Sequence, residues 1–258
     1  MRVFGLIGNP ISQSLSPHFF QQKFEREGIT DAVYQLFPLE SITDLPFLIE
    51  NENNCVGLNV THPYKEAIFP YLHQLTNEAQ AIGAVNTVSI RRTDGRVELT
   101  GHNTDCAGFS VLLNQIAGAL PERALVMGTG GAAKAVAYAL RQRGAKVAQV
   151  SRSDGRGDYT YGSLTPEVIE RHLLIVNATP VGMGADRDSC PPIPYPAITP
   201  RHTLIDLIYH PEVTVFLRKG AELGAQTHNG MTMLVGQAEA SWRFWTSKGI
   251  LSDGAVLP

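Results

Sequence analysis

The stretch that most restricts how this chain can fold is a short apolar run, Ala124–Met127, leading directly into Gly128-Thr129-Gly130-Gly131-Ala132-Ala133 and a helix-forming run, Ala132–Arg143. The six residues fit the pattern G-x-G-x-x-[GA], which carries meaning only between a strand and a helix. In that setting the glycines permit a tight turn and close approach of a pyrophosphate to the backbone, with its charge at the helix N-terminus. The same glycines also suit close packing of helix on strand with no ligand at all. Either use requires strand, crossover and strand in sequence, so from Arg123 onward the chain reads as an α/β layer with a mainly parallel sheet.

A second strand, Lys146–Val150, delivers Ser151-Arg152-Ser153 to the place, about 20 residues on, where an acidic side chain would hold a ribose 2′-hydroxyl. Arginine there can grip a 2′-phosphate in bidentate fashion and stack on adenine, which points to NADP (NADPH). Asp154 is the complication, since it either repels that phosphate or binds a 2′-hydroxyl itself, and Arg152 alone could be a solvated loop charge. Gly128, Gly130, Gly131, Ala132, Ser151, Arg152 and Ser153 form the candidate cofactor set. Strands at Leu173–Asn177, Thr203–Asp206 and Gln226–His228 continue the series, with a proline-rich loop at 190–196, and Met233–Lys248 reads as a long amphipathic helix.

The first half alternates too. Strands are expected at Arg2–Gly8, Ala32–Phe37 and Gly57–Val60, helices at Pro17–Glu27 and near Ile42–Asn51. Val85–Ile90 and Val97–Thr100 form a hairpin around Asp94-Gly95, and a helix runs from Asp105 to about Ala117. A length of 258 residues exceeds one domain of roughly 100–150 residues. The expected architecture is therefore α/β with two domains, residues 1–103 and 104–232, and 43% hydrophobic against 17% charged residues suffices for a core in each.

The formal net charge of -3 and the lack of any dense lysine or arginine run leave nothing to attract nucleic acid. No apolar run approaches the roughly 20 residues of a membrane span, and the N-terminus lacks a signal-peptide apolar region. Cys55, Cys106 and Cys190 are odd in number and far apart, unlike a disulfide framework or a zinc site, so no metal and a reducing, cytoplasmic setting are expected.

Four loops in the first half are rich in small neutral polar groups: Ser12-Gln13-Ser14-Leu15-Ser16-Pro17, Asn59-Val60-Thr61-His62-Pro63-Tyr64-Lys65, Ala84-Val85-Asn86-Thr87 and Gly101-His102-Asn103-Thr104-Asp105. Such groups can match the hydroxyls of a polyhydroxylated substrate and reject analogues that leave them unpaired. Each loop alone is also ordinary turn or cap chemistry, with Ser16 as helix N-cap and Pro17 at the first position. Lys65 and Asp105 are the evident acid–base pair among these loops, and a carbonyl reduction needs a group that protonates the developing alkoxide.

In order and content these segments resemble the shikimate dehydrogenase family: Ser-Leu-Ser-Pro at 14–17, Asn-Val-Thr-x-Pro-x-Lys at 59–65, Gly-Ala-Val-Asn-Thr at 83–87, Asn-Thr-Asp at 103–105 and Gly-x-Gly-Gly-Ala at 128–132. The resemblance continues through Asn-Ala-Thr-Pro-x-Gly-Met at 177–183, Asp-x-x-Tyr-x-Pro at 206–211 and Gly-Met-x-Met-Leu-Val-x-Gln-Ala at 230–238, nearly the whole chain. It implies an N-terminal substrate domain, a Rossmann-type doubly wound NADP domain, and a C-terminal helix, 233–258, that returns to the substrate domain and leaves the active site in the cleft between them. It further implies reversible reduction of 3-dehydroshikimate to shikimate, in aromatic amino-acid biosynthesis, by a monomer or homodimer.

By that resemblance Lys65 and Asp105 are the catalytic pair, and Ser14, Ser16, Asn59, Thr61, Asn86, Asp105, Tyr209 and Gln237 bind shikimate. Thr179, Met183, Leu207 and Gly230 join the glycines and Arg152 along the cofactor. The sequence departs from the family where Ser151 replaces an asparagine, His102 a tyrosine, Cys106 a glycine and Leu207 a methionine. A relative that also oxidises quinate, or uses NAD, is the alternative; the serine pair Ser14 and Ser16 favours shikimate.

Overall fold

The computed structural model describes residues 1–116 and 119–247. The chain divides into two compact units, one of residues 1–104 with the chain from Gln237 on, the other Asp105–Gly236.

The first unit runs β1 (Arg2–Gly8), α1 (Ser16–Glu27), β2 (Ala32–Pro38), α2 (Leu45–Asn51), β3 (Cys55–Val60), α3 (Tyr64–Ala67), β4 (Gln74–Leu75), α4 (Asn77–Ile82), β5 (Thr87–Thr93) and β6 (Arg96–His102). Its sheet has the order β2-β1-β3-β5-β6-β4. β2, β1 and β3 are parallel, while β5 runs antiparallel to both β3 and β6. β1 is an interior strand between β2 and β3, and from Val3 to Gly8 every residue is buried, as a strand covered on both faces must be. Asp94 (φ 51°) and Gly95 (φ 73°) both take left-handed backbone, the geometry whose twist matches a two-residue hairpin.

Local chemistry moves two of the expected boundaries. α1 begins at Ser16, with Leu15 at the N-cap and no side-chain cap, so Ser16 is not the capping residue expected. Instead its N–H donates to Ser14 Oγ at 3.2 Å. The helix expected near Ile42–Asn51 splits into a 3-10 turn, Ile42–Asp44, held by a Ser41–Asp44 capping box, and α2 with Pro46 in its first turn.

The second unit runs α5 (Asp105–Gln115), β7 (Arg123–Met127), α6 (Gly131–Gln142), β8 (Lys146–Ser151), β9 (Tyr159–Thr160), α7 (Pro166–Arg171), β10 (Leu174–Asn177), β11 (Thr203–Asp206), α8 (Val215–Glu222), β12 (Gln226–His228) and the start of α9 (Met231–Thr246). Its sheet, β12-β11-β10-β7-β8-β9, is parallel throughout. Strand order reverses between β7 and β10, which makes a doubly wound sheet with its switch point there. The α5 helix expected to reach Ala117 ends at Gln115, and Ala117 itself lies outside the described residues, as do 248–258 of the expected C-terminal segment.

α9 changes unit at Gln237. In the first unit its aromatic side chains join those of β1, α1 and β2: Phe4 lies 5.2 Å from Trp242 and 4.8 Å from Trp245, and Phe20 stacks on Tyr34 at 4.3 Å. Lys23, nearly buried, pairs with Glu27 (2.8 Å) and with Glu239 of α9 (2.7 Å). No helix among the described residues is long and apolar enough to cross a membrane.

Candidate functional site

β1 and β3 lie side by side, and their carboxyl ends are tied together beyond the sheet. Thr61 N–H donates to the Ile7 carbonyl (2.9 Å) and Asn9 N–H to that of His62 (3.1 Å). α3 then carries Lys65. The Tyr64 hydroxyl anchors that helix on the Leu39 carbonyl (2.7 Å), and Val85 N–H donates to the Lys65 carbonyl (2.8 Å), which stitches the 59–65 segment to the 84–87 segment. Ser14, Thr61 and Lys65 are half-buried; Ser16 is buried.

Asn59 and Asn86 are buried and their amide orientations are forced. The Tyr34 hydroxyl donates to Asn59 Oδ1 (2.8 Å), while Asn59 Nδ2 faces the Asn86 carbonyl (3.2 Å), Thr87 Oγ1 (3.1 Å) and Ser241 Oγ (2.9 Å). The protein itself therefore occupies both ends of the Asn59 amide, which turns this candidate inward. Asn86 Oδ1 accepts from Thr104 N–H (2.7 Å), a group that can only donate, so Asn86 Nδ2 is directed away from this network as a donor. Asn103 holds the Ala84 carbonyl at 2.9 Å. Asp105, buried, follows Thr104 directly as the first residue of α5.

His102 stands two residues before Thr104. Burial lowers its pKa to about 4, so at neutral pH it is an uncharged ring stacked on Phe244 (4.6 Å) with Nδ1 2.9 Å from Thr76 Oγ1. Its 3.9 Å approach to Glu78 is accordingly a polar contact rather than an ion pair at that pH.

In the second unit every cofactor candidate stands at the carboxyl end of a parallel strand: 128–132 after β7, Ser151–Ser153 at and after β8, Thr179 and Met183 after β10, Leu207 after β11 and Gly230 after β12. Gly128, at φ 113°, lies where a side chain is strained, and a Cβ would stand 3.0 Å from the Ala178 carbonyl across the switch point. Gly130 caps α6 with open space where a Cβ would be, and the first turn of α6 holds no acidic residue. The first N–H groups of a helix have no partner within it, which is what an anion site at such an end uses. A Cβ on Gly230 would collide with the Leu207 carbonyl, so those two loops can touch only through glycine.

Arg152 and Ser153 are exposed, and the turn is set by Ser153 N–H donating to Ser151 Oγ (3.1 Å). Arg152 lies near Tyr161, opposing the upward push of burial on that phenol. Asp154 is exposed beside them. Met183 is 51% exposed, large for an apolar side chain and suited to covering a bound ring. Tyr209 is half-buried and belongs to this unit, unlike Ser14, Ser16, Asn59, Thr61, Asn86 and Gln237. A concavity of about 380 Å³ lined by Arg123 and Leu173 lies at the opposite, amino-terminal end of β7 and β10 and contains none of the candidates.

Two residues have a supporting role that the sequence reading does not assign. Asp206, fully buried at the end of β11, accepts from Asn177 Nδ2 (3.0 Å), Ile208 N–H (3.1 Å) and the Thr214 hydroxyl (2.7 Å). Asn177 Oδ1 in turn accepts from Thr179 N–H (3.1 Å) and its hydroxyl (2.6 Å), so one carboxylate holds the loops that carry Thr179 and Leu207. Tyr34, on β2, positions Asn59. In both cases the sequence signal is weak, a polar group in a mainly apolar strand: Tyr34 beside Gln35 in β2, and Asp206 at the end of β11, which begins with Thr203.

The chain matches known proteins over almost its whole length. Residues 6–88 match the family model described as the shikimate dehydrogenase substrate binding domain. A shikimate dehydrogenase (NADP(+)) of Salinibacter ruber is 37% identical, with 95% of this chain and 92% of the relative covered. Shikimate 5-dehydrogenase of Thermus thermophilus, solved in complex with NADP(H) and shikimate, superposes with a TM-score of 0.82 at 34% identity, covering 98% of this chain and 96% of its own. Quinate dehydrogenase of Corynebacterium glutamicum, solved with NAD, gives 0.81 at 30% identity over 95% and 93% of the two chains.

Proposed function

Because the chain belongs to the shikimate dehydrogenase family, we propose that it moves a hydride reversibly between NADPH and C3 of 3-dehydroshikimate, giving shikimate in aromatic amino-acid biosynthesis. The single observation that carries the cofactor half is the row of candidates along the carboxyl edge of one parallel sheet, on both sides of its switch point, with Gly130 open in front of an uncompensated helix N-terminus.

In the reductive direction NADPH supplies the hydride to the carbonyl carbon, and the oxygen takes up a proton. Lys65 donates that proton and stabilises negative charge on the oxygen, and Asp105 orients the same hydroxyl. Ser14 and Ser16 hold the carboxylate, while Thr61, Asn86, Tyr209 and Gln237 meet the hydroxyls. Asn86 does so as a donor, because its oxygen is taken by Thr104 N–H. Asn59 orients Asn86 and Thr87 instead of touching substrate. Ser151, Arg152 and Ser153 grip the 2′-phosphate, Gly128, Gly130, Gly131 and Ala132 the pyrophosphate, and Thr179, Met183, Leu207 and Gly230 flank the nicotinamide end.

On this reading the first unit binds the substrate and the second binds NADP, in a cytoplasmic enzyme that works as a monomer or homodimer. Exposed Asp154 beside Arg152 favours one alternative, partial use of NAD, and the quinate dehydrogenase relative makes quinate the rival substrate. Absorbance of reduced nicotinamide, followed for purified protein with shikimate or quinate and NADP+ or NAD+, separates these. Turnover chiefly with shikimate and NADP+ is expected; comparable efficiency with quinate or NAD+ moves the protein to the rival, and silence in all four mixtures overturns the enzyme reading.

A further inference from the structure

Ser241 has no counterpart in the acid–base chemistry or the substrate contacts above, yet it stands at the centre of the buried polar network of the first unit. Its hydroxyl donates to the Gln237 carbonyl one turn earlier in α9 (2.9 Å) and accepts from Asn59 Nδ2 of β3 (2.9 Å). The hydroxyl oxygens of Thr87 on β5 and of Thr104 lie 2.9 and 3.0 Å from it and 3.0 Å from each other. Thr87, Thr104 and Ser241 are completely buried. Both threonine hydroxyls also reach Asn86 Oδ1, at 3.0 and 3.1 Å.

Counting hydrogens shows how tightly this cluster is determined. The three hydroxyls and Asn59 Nδ2 supply five hydrogens, and the acceptors outside the cluster are the Gln237 carbonyl, the Asn86 carbonyl and Asn86 Oδ1. The other two hydrogens must be spent between members, so the hydroxyls have to serve one another and Asn59 as acceptors as well as donors. None of these atoms is left unsatisfied; among the described residues that condition falls on His228 Nε2 alone. A half-satisfied version would be costly and would relax by moving its members.

Those members set candidate substrate contacts. Asn86 takes its amide orientation from the network, Gln237 is joined to it through its carbonyl, Thr104 precedes Asp105, and Tyr34 connects it to Ser16. We infer that Ser241 is a positioning residue for shikimate: its hydroxyl locks α9 to β3, β5 and Thr104, and thereby fixes the groups that Asn86 and Gln237 present to the substrate. This rests on the substrate reading proposed above.

The test is Ser241→Ala, which removes the hydroxyl without adding volume to a helix position that alanine suits, compared with Ile49→Val, a buried truncation in the same unit away from the network. Michaelis constants for shikimate and NADP+ are measured beside the thermal midpoint of each protein. A KM for shikimate raised roughly tenfold in Ser241→Ala, with KM for NADP+ within about twofold and both constants unmoved in Ile49→Val, is the expected result. A lowered midpoint with unmoved KM values, or equal changes in the two variants, reduces Ser241 to a stability role and overturns the inference while leaving the function in place. Absence of shikimate-dependent turnover in the wild type overturns both. If Ser241→Ala does not fold, Thr104→Val and Thr104→Ser decide the matter: a raised KM with valine and a normal one with serine supports the network, and equal behaviour refutes it.

Discussion

Replacing Lys65 by alanine removes one ammonium group from a short helix whose backbone is held without it, by the Tyr64 hydroxyl and by Val85 N–H. The variant should therefore fold and keep its affinity for NADP+, while kcat falls about a hundredfold, the usual cost of a lost general acid. Near-normal turnover would remove Lys65 from the mechanism. Asp206 permits a prediction of the opposite kind, since burial raises its carboxyl to about 6 against the three donors that surround it. With the folded value above the unfolded one, the unfolded chain ionises first as pH rises from about 4 to 6, so folding loses stability across that window. Asp206→Asn abolishes that loss, on the order of 2–3 kcal/mol. His102, whose folded value is lowered to about 4, gives the reverse slope, stability lost as pH falls from about 6.5. Both proteins contain it, so the observable is the difference in unfolding free energy between variant and wild type, which should shrink as pH drops from 7 to 4; a difference that grows would show the ionised carboxylate to be the favoured form in the fold. These two residues also mark how far sequence reaches. Lys65 is visible because a cation among neutral polar groups suggests its chemistry, whereas Asp206, Tyr34 and Ser241 act through partners 18 to 182 positions away that only the folded chain brings near, apart from the local contacts of Asp206 and the Gln237 carbonyl one turn before Ser241.

Among the elements, the long periodic ones are legible and most of the short ones are not. β1 and β11 fall on the expected residues because strands covered by helices read as mainly apolar runs, and β12, a three-residue edge strand of Gln-Thr-His, also falls on its expected residues although it carries no apolar run. α3, α4, α7 and α8, with four to eight residues, and the two-residue strands β4 and β9 are too brief to show a period and are fixed by their surroundings. α4, for example, is delimited by a Thr76 cap and by left-handed Gly83, not by an apolar stripe. The return of α9 to the first unit follows from the family resemblance, but its contact with the sheet is not visible in apolar patterning: Gly57 of β3 lies beneath the Trp245 indole, where an added Cβ would fall 2.6 Å from Nε1. That same N–H donates to the Val88 carbonyl at 3.0 Å. Gly57→Ala should therefore displace the ring, break the hydrogen bond and cost about 1–3 kcal/mol. The chain has two tryptophans, Trp242 and Trp245, both on this helix, so intrinsic fluorescence reports this contact directly. A red-shifted emission with a lowered thermal midpoint is expected, and an unchanged spectrum would mean that α9 is held by other contacts.

On the scale of the whole chain, two alternating series of strand and helix are apparent from the sequence, and each unit of the structure encloses its own apolar cluster, one around Ile7, Leu58 and Ile68, the other around Leu125, Ile175 and Phe216. Units with separate cores open separately, and a ligand lowers the opening of only those segments whose folded form it binds. Hydrogen exchange read by mass spectrometry can then assign each ligand to its unit. At a hundredfold excess over its dissociation constant a ligand adds about 2.7 kcal/mol to the state that binds it, enough to slow exchange by about a hundredfold where exchange requires that state to open. NADP+ alone should protect 128–134, 151–153 and 178–183, the strand ends of the second sheet, and leave 59–65 and 84–87 as they were. Shikimate alone should do the converse, with protection extending to the Ser241 turn of α9 because that hydroxyl shares hydrogen bonds with Asn59 and Thr87. Protection of 59–65 by NADP+ in the absence of shikimate would contradict the division of labour between the units, even if the enzyme turned over as proposed. Shikimate protection that stopped short of α9 would leave the division intact and detach the helix from the substrate site.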